Sequence, residues 1–246
     1  MKTKTFLAFV SATVMAVATS SAAITVTNTS ANILEDTSNS GLYTNTITNW
    51  SLSGGNTVVV YFSGENTTGM TAKYGTQDMT VVQGQGGGND WISAIAYIVN
   101  PTVSLADLAV SWTAGGNSEN MITALSLSGV GSVAGSSSIN AGNLSFSYTT
   151  TLAGGFVVGN ATNNSFDFLS PPTVSSSNLD TNVFYSNISG NSSSLQTYGV
   201  IDTAGTYTDT YSNSLVGAGV AFNPIPEPSA ALLGALGFLA LLRRRR

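Results

Sequence analysis

The sequence predicts an all-β protein, a single jelly-roll-like β-sandwich that lies between a signal peptide and a short C-terminal transmembrane helix. Two observations predict the sandwich. From Ile24 to Asn223, short apolar runs alternate with clusters of Gly, Ser, Asn and Thr, and no stretch keeps the 3.6-residue period of a helix. Ten or more short strands in one domain are typical of a sandwich or a jelly roll.

The predicted strands are the apolar runs themselves. Glycine-rich breaks at 84–90 and 113–120 supply turns, because glycine adopts positive φ at no steric cost. From 170 to 194, Ser, Asn and Pro predict loops around one strand rather than a linker to a second domain. The predicted strands cover residues 57–62, 78–82, 91–99, 105–112, 121–127, 143–148, 155–159, 182–186, 197–201 and 216–222.

Residues 1–23 have the three parts of a secretory signal peptide. Lys2 and Lys4 form a basic segment, residues 6–17 are mostly apolar, and small residues lead to an expected cleavage after Ala23. A retained membrane anchor is the alternative, but the apolar run is short for a span. We therefore expect an exported domain over residues 24–223.

Residues 224–246 combine a proline-rich segment, an apolar run and four terminal arginines. Residues 229–242 carry no charge, and as a helix they would reach about 21 Å, against about 30 Å for a bilayer core. Arginine side chains that snorkel outward absorb part of this mismatch. Because Pro226 and Pro228 cannot continue a helix upstream, we expect residues 224–228 to form an extended, accessible hinge beside the membrane.

Pro226, Glu227 and Pro228, followed by the predicted helix at 229–242 and by Arg243, Arg244, Arg245 and Arg246 as a membrane stop, resemble the PEP-CTERM protein-sorting signal. The resemblance implies that an exosortase, a membrane-embedded protease, recognises and removes this tail at the inner membrane. It also implies a final place in the cell envelope, at the cell surface or in an extracellular polysaccharide (biofilm) matrix. A simple tail anchor, in which nothing recognises the motif, is the alternative.

Four segments of the central region form a recognisable series: Tyr74-Gly75, residues 78–82, residues 97–101 and residues 128–130. In this order they resemble a bacterial extracellular jelly-roll β-sandwich module. The matching segments are mainly structural, so the resemblance implies a topology and no catalytic residue.

Charge and composition exclude several functions. Between the signal and the tail, Lys73 stands against eleven acids, which gives the domain a net charge of −10. Such a surface cannot neutralise a phosphate backbone, so nucleic acid is excluded as a partner. The chain has no Cys and no His, which removes disulfides, the usual general base and the common nitrogen and sulfur ligands of zinc.

Carboxylates remain as candidate catalytic or metal-binding groups. A glycosidase would need two of them facing a cleft, and nothing in the spacing of Glu35, Asp36, Glu65, Asp78, Asp90 and Glu119 requires such a pair. No cofactor is expected other than a structural calcium ion, which oxygen ligands suit. Its candidate ligands are Glu35, Asp36, Asn89 and Asp90, with Asp202 and Asp209 as further acids, although single Asp residues in turns commonly make Asx hydrogen bonds.

Aromatic side chains are candidates for carbohydrate stacking. Alternation along the predicted strands places Trp91 and Trp112 in the core, whereas Trp50 precedes a glycine turn and is the candidate for an exposed ring, although a core position is the more common one for each tryptophan of a sandwich. Threonine pairs such as Thr44 and Thr46 are typical of half-exposed strands.

Together these features predict an exported, non-enzymatic protein of the cell surface or extracellular matrix, with a polysaccharide-associated or adhesive role. Two alternatives remain. One is a polysaccharide-active hydrolase or lyase that uses paired carboxylates. The other is a structural adhesin subunit, which would have an exposed apolar patch or an unpaired sheet edge.

Overall fold

The computed structural model describes residues 23–86, 91–163, 173–174, 184–187 and 193–226. These residues form strands, turns and loops, so the predicted all-β class is confirmed; no helix there is long and apolar enough to cross a membrane. The strands are β1 (Thr25–Thr29), β2 (Ile33–Thr37), β3 (Ser40–Ser51), β4 (Thr57–Glu65), β5 (Thr67–Tyr74), β6 (Gln77–Asp78), β7 (Thr80–Gln85), β8 (Trp91–Val99), β9 (Leu105–Gly115), β10 (Ser118–Ser128), β11 (Val130–Thr150), β12 (Gly155–Asn163), β13 (Thr173–Val174), β14 (Phe184–Asn187), β15 (Ser193–Ile201) and β16 (Gly205–Pro224).

The described strands form three antiparallel sheets. The central sheet has the order β1-β10-β4-β8-β7, and β2 also pairs with β10. The front sheet has the order β3-β9-β5-β6. The back sheet has the order β11-β16-β12-β15-β14, and β13 also pairs with β16. The sequence predicted one sandwich, whereas the central sheet packs against the front sheet on one face and the back sheet on the other.

Strand β4 shows why its sequence, TVVVYF, is an unbroken apolar run. Successive side chains on a strand point to opposite faces. Val58, Val60 and Phe62 enter the core shared with the front sheet, and Val59 and Tyr61 enter the core shared with the back sheet. A strand that is buried on both faces needs apolar residues at every position.

The core between the central and front sheets is built around Trp112 of β9. Its ring lies 5.5 Å from that of Phe62 and stacks on Tyr43 at 6.2 Å. Leu108 and Val110 of the same strand are also buried, so β9 anchors the front sheet.

The contact between the central and back sheets is apolar at one end and polar at the other. At the apolar end, Phe222 meets Tyr97 edge-on at 5.8 Å. At the other end lies a buried polar cluster of Ser63, Ser93, Asn160 and Ser194, all of which are fully buried. Asn160 is its centre, because its side chain bonds to both of the strands β4 and β8.

The long strands β11 and β16 form one ribbon that bends back on itself. Their pairing runs from Val130 and Pro224 to Thr150 and Gly205, with four register shifts on the way. Tyr148 packs with Val157, which belongs to the outer face of the back sheet. The far end of the ribbon therefore covers that face and creates a third, smaller core.

Eight of the ten predicted strands lie inside observed strands, namely all except 78–82 and 182–186. The prediction of one strand over 78–82 is wrong in detail, because the chain passes from the front sheet to the central sheet at Met79: Asp78 ends β6 and Thr80 begins β7. Residues 182–186 overlap β14. Strands β1, β2, β3, β5 and β13 were not predicted. β1 and β3 are rich in Thr and Asn, β2, β3 and β5 alternate between more and less exposed positions instead of forming apolar runs, and β13 has only two residues.

The buried tyrosines predict how stability depends on pH. Burial raises the pKa of Tyr61 well above the ordinary value of 10.0, and Tyr198 raises it further. The unfolded chain therefore ionises this phenol at a lower pH than the folded protein does. We expect stability to be constant from about pH 6 to 9, where no His or Cys titrates, and to fall above about pH 10 by up to about 1.4 kcal/mol per pH unit for this group.

Urea unfolding at pH values from 6 to 11 measures this dependence. Tyr61→Phe should flatten the alkaline fall, because it removes the buried phenol that donates to the Thr197 carbonyl. An alkaline slope that is the same in Y61F and in the wild type would contradict the assignment.

Candidate functional site

A cavity of about 290 Å³ opens where the β2–β3 turn meets the β9–β10 turn. Asp36 and Glu119 are directly opposite each other in the pairing of β2 with β10. Residues opposite each other on antiparallel strands have Cβ atoms about 4.5–5.5 Å apart and point to the same face. The structure therefore brings together two carboxylates that are 83 positions apart in the chain. The cavity is lined by Asp36, Thr37, Ser38, Asn117, Ser118 and Glu119.

Buried hydroxyl and amide groups hold the wall behind this cavity. Thr37 and Ser118 share a hydrogen bond of 2.7 Å between their hydroxyl oxygens. The Asn120 amide donates to the Ser118 hydroxyl at 3.0 Å, and its oxygen accepts from Thr67 at 2.8 Å. A side chain at Gly64 would collide with the Asn120 oxygen, so glycine is needed beside this network.

The structure separates Glu35 from Asp36, which the sequence had grouped as candidate calcium ligands. Consecutive residues of a strand point to opposite faces. Glu35 points into the sandwich, where the Asn45 side chain donates a hydrogen bond to its carboxylate. Asp36 is exposed on the other face beside Glu119. The sequence grouped Asp36 with the adjacent Glu35, whereas the carboxylate beside Asp36 in the structure is that of Glu119, on the paired strand β10.

The other acids with described side chains are dispersed. Asp78 forms an exposed ion pair with Lys73 at 2.7 Å, and Asp107 accepts from the backbone N–H of Asn49. Asp202 is exposed in the β15–β16 turn. Asn89 and Asp90 lie outside the described residues, as does the Asp209 side chain. Among the residues that are described, no three carboxylates come together as a metal site.

The prediction that Trp50 is exposed is wrong. Its side chain is 5% exposed, and its indole N–H donates to the Ser126 hydroxyl at 2.9 Å. The reason is a β-bulge between Ile47 and Trp50, in which Asn49 adopts φ 53°. The extra residue reverses the alternation of the strand, so Trp50 turns into the core. It therefore offers no ring face to a sugar.

The other two tryptophans were predicted to be core residues. Trp112 is 2% exposed, which confirms the prediction. Trp91 is half-buried at the start of β8, where a side chain at Gly86 would strike its ring. No tryptophan of the described region therefore forms an open stacking platform.

The outer face of the front sheet carries hydroxyl groups instead of aromatic rings. Thr44 of β3, Ser111 of β9 and Thr71 of β5 form one row across three strands, in register. Thr44 and Ser111 share a hydrogen bond of 2.7 Å. Thr113 and Thr46 extend this surface, and we call these five residues the front hydroxyl face. The TNTIT stretch at 44–48 is the part of the front hydroxyl face that the sequence indicated. The rows of hydroxyl groups across neighbouring strands could not be predicted, because they depend on pairing between strands that are distant in the sequence.

The two predicted processing regions begin at the same end of the described fold. Ala23 is exposed, and its carbonyl lies beside Gly129. The Ile225 N–H donates to the Gly129 carbonyl at 2.9 Å. Pro224 is buried and belongs to β16, so it is not part of the accessible hinge predicted for 224–228. Pro226 is exposed, whereas Glu227, Pro228, the helix at 229–242 and the four arginines lie outside the described residues, as do residues 1–22.

Comparison with known proteins identifies no relative of this chain: no family model, curated protein or solved structure matches it.

Proposed function

We propose that the chain is an exported protein that an exosortase sorts through its PEP-CTERM-like tail to the cell surface or the extracellular matrix. The order of motif, apolar segment and arginines at 226–246 supports this proposal. The exposure of Ala23 and of Pro226 also supports it, because a protease needs accessible, extended backbone. In this proposal the inner membrane holds the protein only transiently, through a helix at 229–242.

We assign residues 24–128 to the jelly-roll class. The strand orders support this assignment, since β2-β10-β4-β8 and β3-β9-β5-β6 match the two four-stranded sheets that two Greek keys produce, with β7 added beside β8 and β1 paired with β10. The chain crosses between these sheets from β2 to β3, from β3 to β4 and from β4 to β5. The back sheet is then an addition to the outer face of the β2-β10-β4-β8 sheet.

The function that the geometry supports best is non-catalytic association with a neutral polysaccharide. The observation that carries this proposal is the front hydroxyl face. Hydroxyl groups both donate and accept hydrogen bonds, as the hydroxyls of a sugar chain do. The charged groups on the strands of this sheet are Lys73 and Asp78, paired with each other, and Asp107. Without free cations, an acidic glycan would need bridging calcium.

Retention on immobilised polysaccharides tests this function. We expect the wild type to bind neutral glycans equally with calcium and with EDTA. The triple variant T71V/S111A/T113V should lose at least about tenfold in affinity, since several hydrogen bonds of about 0.5–1.5 kcal/mol each are removed. The matched control S147A/T149V removes exposed, paired hydroxyls from β11 and should bind as the wild type does. Equal binding by the triple variant would overturn the proposal.

A hydrolase is the second candidate, because Asp36 and Glu119 are opposed in a cavity. They are directly opposed on neighbouring strands, so both carboxylates can face the same cavity, as a glycosidase requires of its pair. However, the lining contains no aromatic ring to hold a sugar. The same preparations, assayed for new reducing ends, separate the two functions: the proposal expects none. Release of reducing ends that E119Q abolishes would favour the hydrolase.

A further inference from the structure

Strand β3 ends the front sheet, and it differs from the other edge strands of the described fold. Its pairing with β9 is continuous from Ser40 to Ile47, without a register shift. Among the described strands, β9 is its sole partner, so the opposite row of backbone N–H and C=O groups faces away from the sheet. An unpaired row of this kind is a template for another strand.

The usual devices that protect an edge are absent from β3. Proteins protect edges with short strands, charged side chains, proline or bulges. From residue 37 to residue 64 there is no charged residue and no proline. The bulge of β3 comes after Ile47, so it leaves a straight, uncharged edge of eight residues.

The other edges of the described sheets have such devices. β2 is short and carries Glu35 and Asp36, and β6 has two residues and the Lys73–Asp78 ion pair. On β7, the Asn140 side chain accepts from the backbone N–H of Gln85. β11 is long, but its four register shifts bend it.

The sandwich is also incomplete along β3. The inward side chains of the neighbouring strand β9, such as Leu108 and Val110, are at most 1% exposed. The inward side chains of β3, Tyr43 and Ile47, are only half-buried, and the outward Leu42 is 76% exposed. One more strand beside β3 would cover all three.

We propose that two copies of this chain pair through the free edges of β3, antiparallel and related by a two-fold axis. Two-fold antiparallel pairing is self-complementary, because each edge offers the other the same spacing of donors and acceptors. Charge permits a second copy at this place although the domain carries −10, because β3 itself has no charged residue and the half-buried Glu35 carboxylate beside it is bonded to Asn45, so pairing here brings no like charges into direct contact. The joined front sheets then form one eight-stranded sheet. This inference does not depend on glycan binding or on sorting.

A cysteine-crosslinking experiment tests the pairing, because the chain has no cysteine of its own. Thr44 and Thr46 both belong to the edge strand β3, and both side chains lie on the outer face of the front sheet. If the two-fold axis passes through Thr44, two Thr44→Cys residues lie opposite each other, close enough for a disulfide. If it passes through Thr46, the same holds for Thr46→Cys. If it passes through Asn45, position 44 of one copy lies opposite position 46 of the other, and the double variant Thr44→Cys/Thr46→Cys can crosslink. We expect one of these three variants of the full chain, in detergent, to form a disulfide-linked dimer on mild oxidation. Thr113→Cys, on the same outer face but one strand inward, is the control and should stay monomeric.

Molar mass measured by light scattering gives an independent result. The wild type should have the mass of a dimer, and Thr44→Lys should shift it to the monomer, since lysine at the edge places like charges against each other. Thr113→Lys, with the same change of charge away from the edge, should remain dimeric. Circular dichroism checks that both variants fold. A wild type that is monomeric at about 100 μM, or crosslinking no faster than that of Thr113→Cys, would overturn the proposal.

Discussion

Replacement of Asn160 by alanine is expected to lower the free energy of unfolding by about 2–4 kcal/mol, because it removes the centre of the buried polar cluster. The Asn160 amide donates to the carbonyls of Phe62 at 2.8 Å and Ala94 at 3.2 Å. Its oxygen accepts from the hydroxyls of Ser63 and Ser194. Alanine would remove these four hydrogen bonds, would leave the Ser63 and Ser194 hydroxyls to bond to each other, and would open a cavity between the central and back sheets.

The Gln196 side chain sets the lower end of this range. Gln196 lies opposite Asn160 on β15, and its buried amide has no hydrogen-bond partner among the described residues. It is therefore available to bond to one of the groups that lose Asn160. A buried polar group without a partner costs about 1–3 kcal/mol.

Chemical denaturation of the wild type and of Asn160→Ala measures this difference. The matched control is Asn39→Ala, because Asn39 is exposed and makes one long bond of 3.4 Å to Ser38. We expect the control to stay within about 0.5 kcal/mol of the wild type. Equal stability of N160A and N39A would show that the cluster does not hold the two sheets together.

The fold class and most of the buried strands could be predicted from the sequence, and the half-exposed strands could not. The runs at 57–62 and 91–99 are recognisable because β4 and β8 belong to the central sheet, which buries both faces. The segment at 40–51 has only one half-buried face and consists largely of Thr and Asn, so its composition resembles that of a loop. The three-layer arrangement depends on which faces meet, and local patterns do not contain that information.

The candidate site was harder to predict for a related reason. Glu119 was recognised as a carboxylate beside a turn. Asp36 lies next to it only because of the register in which β10 pairs with β2. Trp50 was misplaced because one extra residue in a bulge moves a side chain to the other face. Register and bulges are set by tertiary contacts, so spacing in the sequence alone does not determine them.

Replacement of Pro226 and Pro228 by alanine is expected to abolish sorting, with a larger effect on the protein's final location than any other change considered. In the proposed sorting, the wild type loses about 18 residues, 229–246, when it leaves the membrane. Alanine would permit the helix proposed for 229–242 to continue upstream through the motif, whereas proline would prevent it. The variant should therefore keep all four arginines and remain in the membrane fraction.

Intact mass spectrometry of membrane, surface and medium fractions distinguishes sorting from a simple tail anchor. A wild-type mass that ends near Pro228, together with an unprocessed P226A/P228A variant, is the expected result. Pro101→Ala, which removes a proline outside the tail, controls for the loss of proline and should be processed normally. A wild type that retains Arg243 to Arg246 in the membrane would contradict sorting. The variant P226A/P228A leaves residues 24–225 unchanged. A failure of the sorting proposal would therefore not affect the assignments of the front hydroxyl face and of the β3 edge, which their own experiments test.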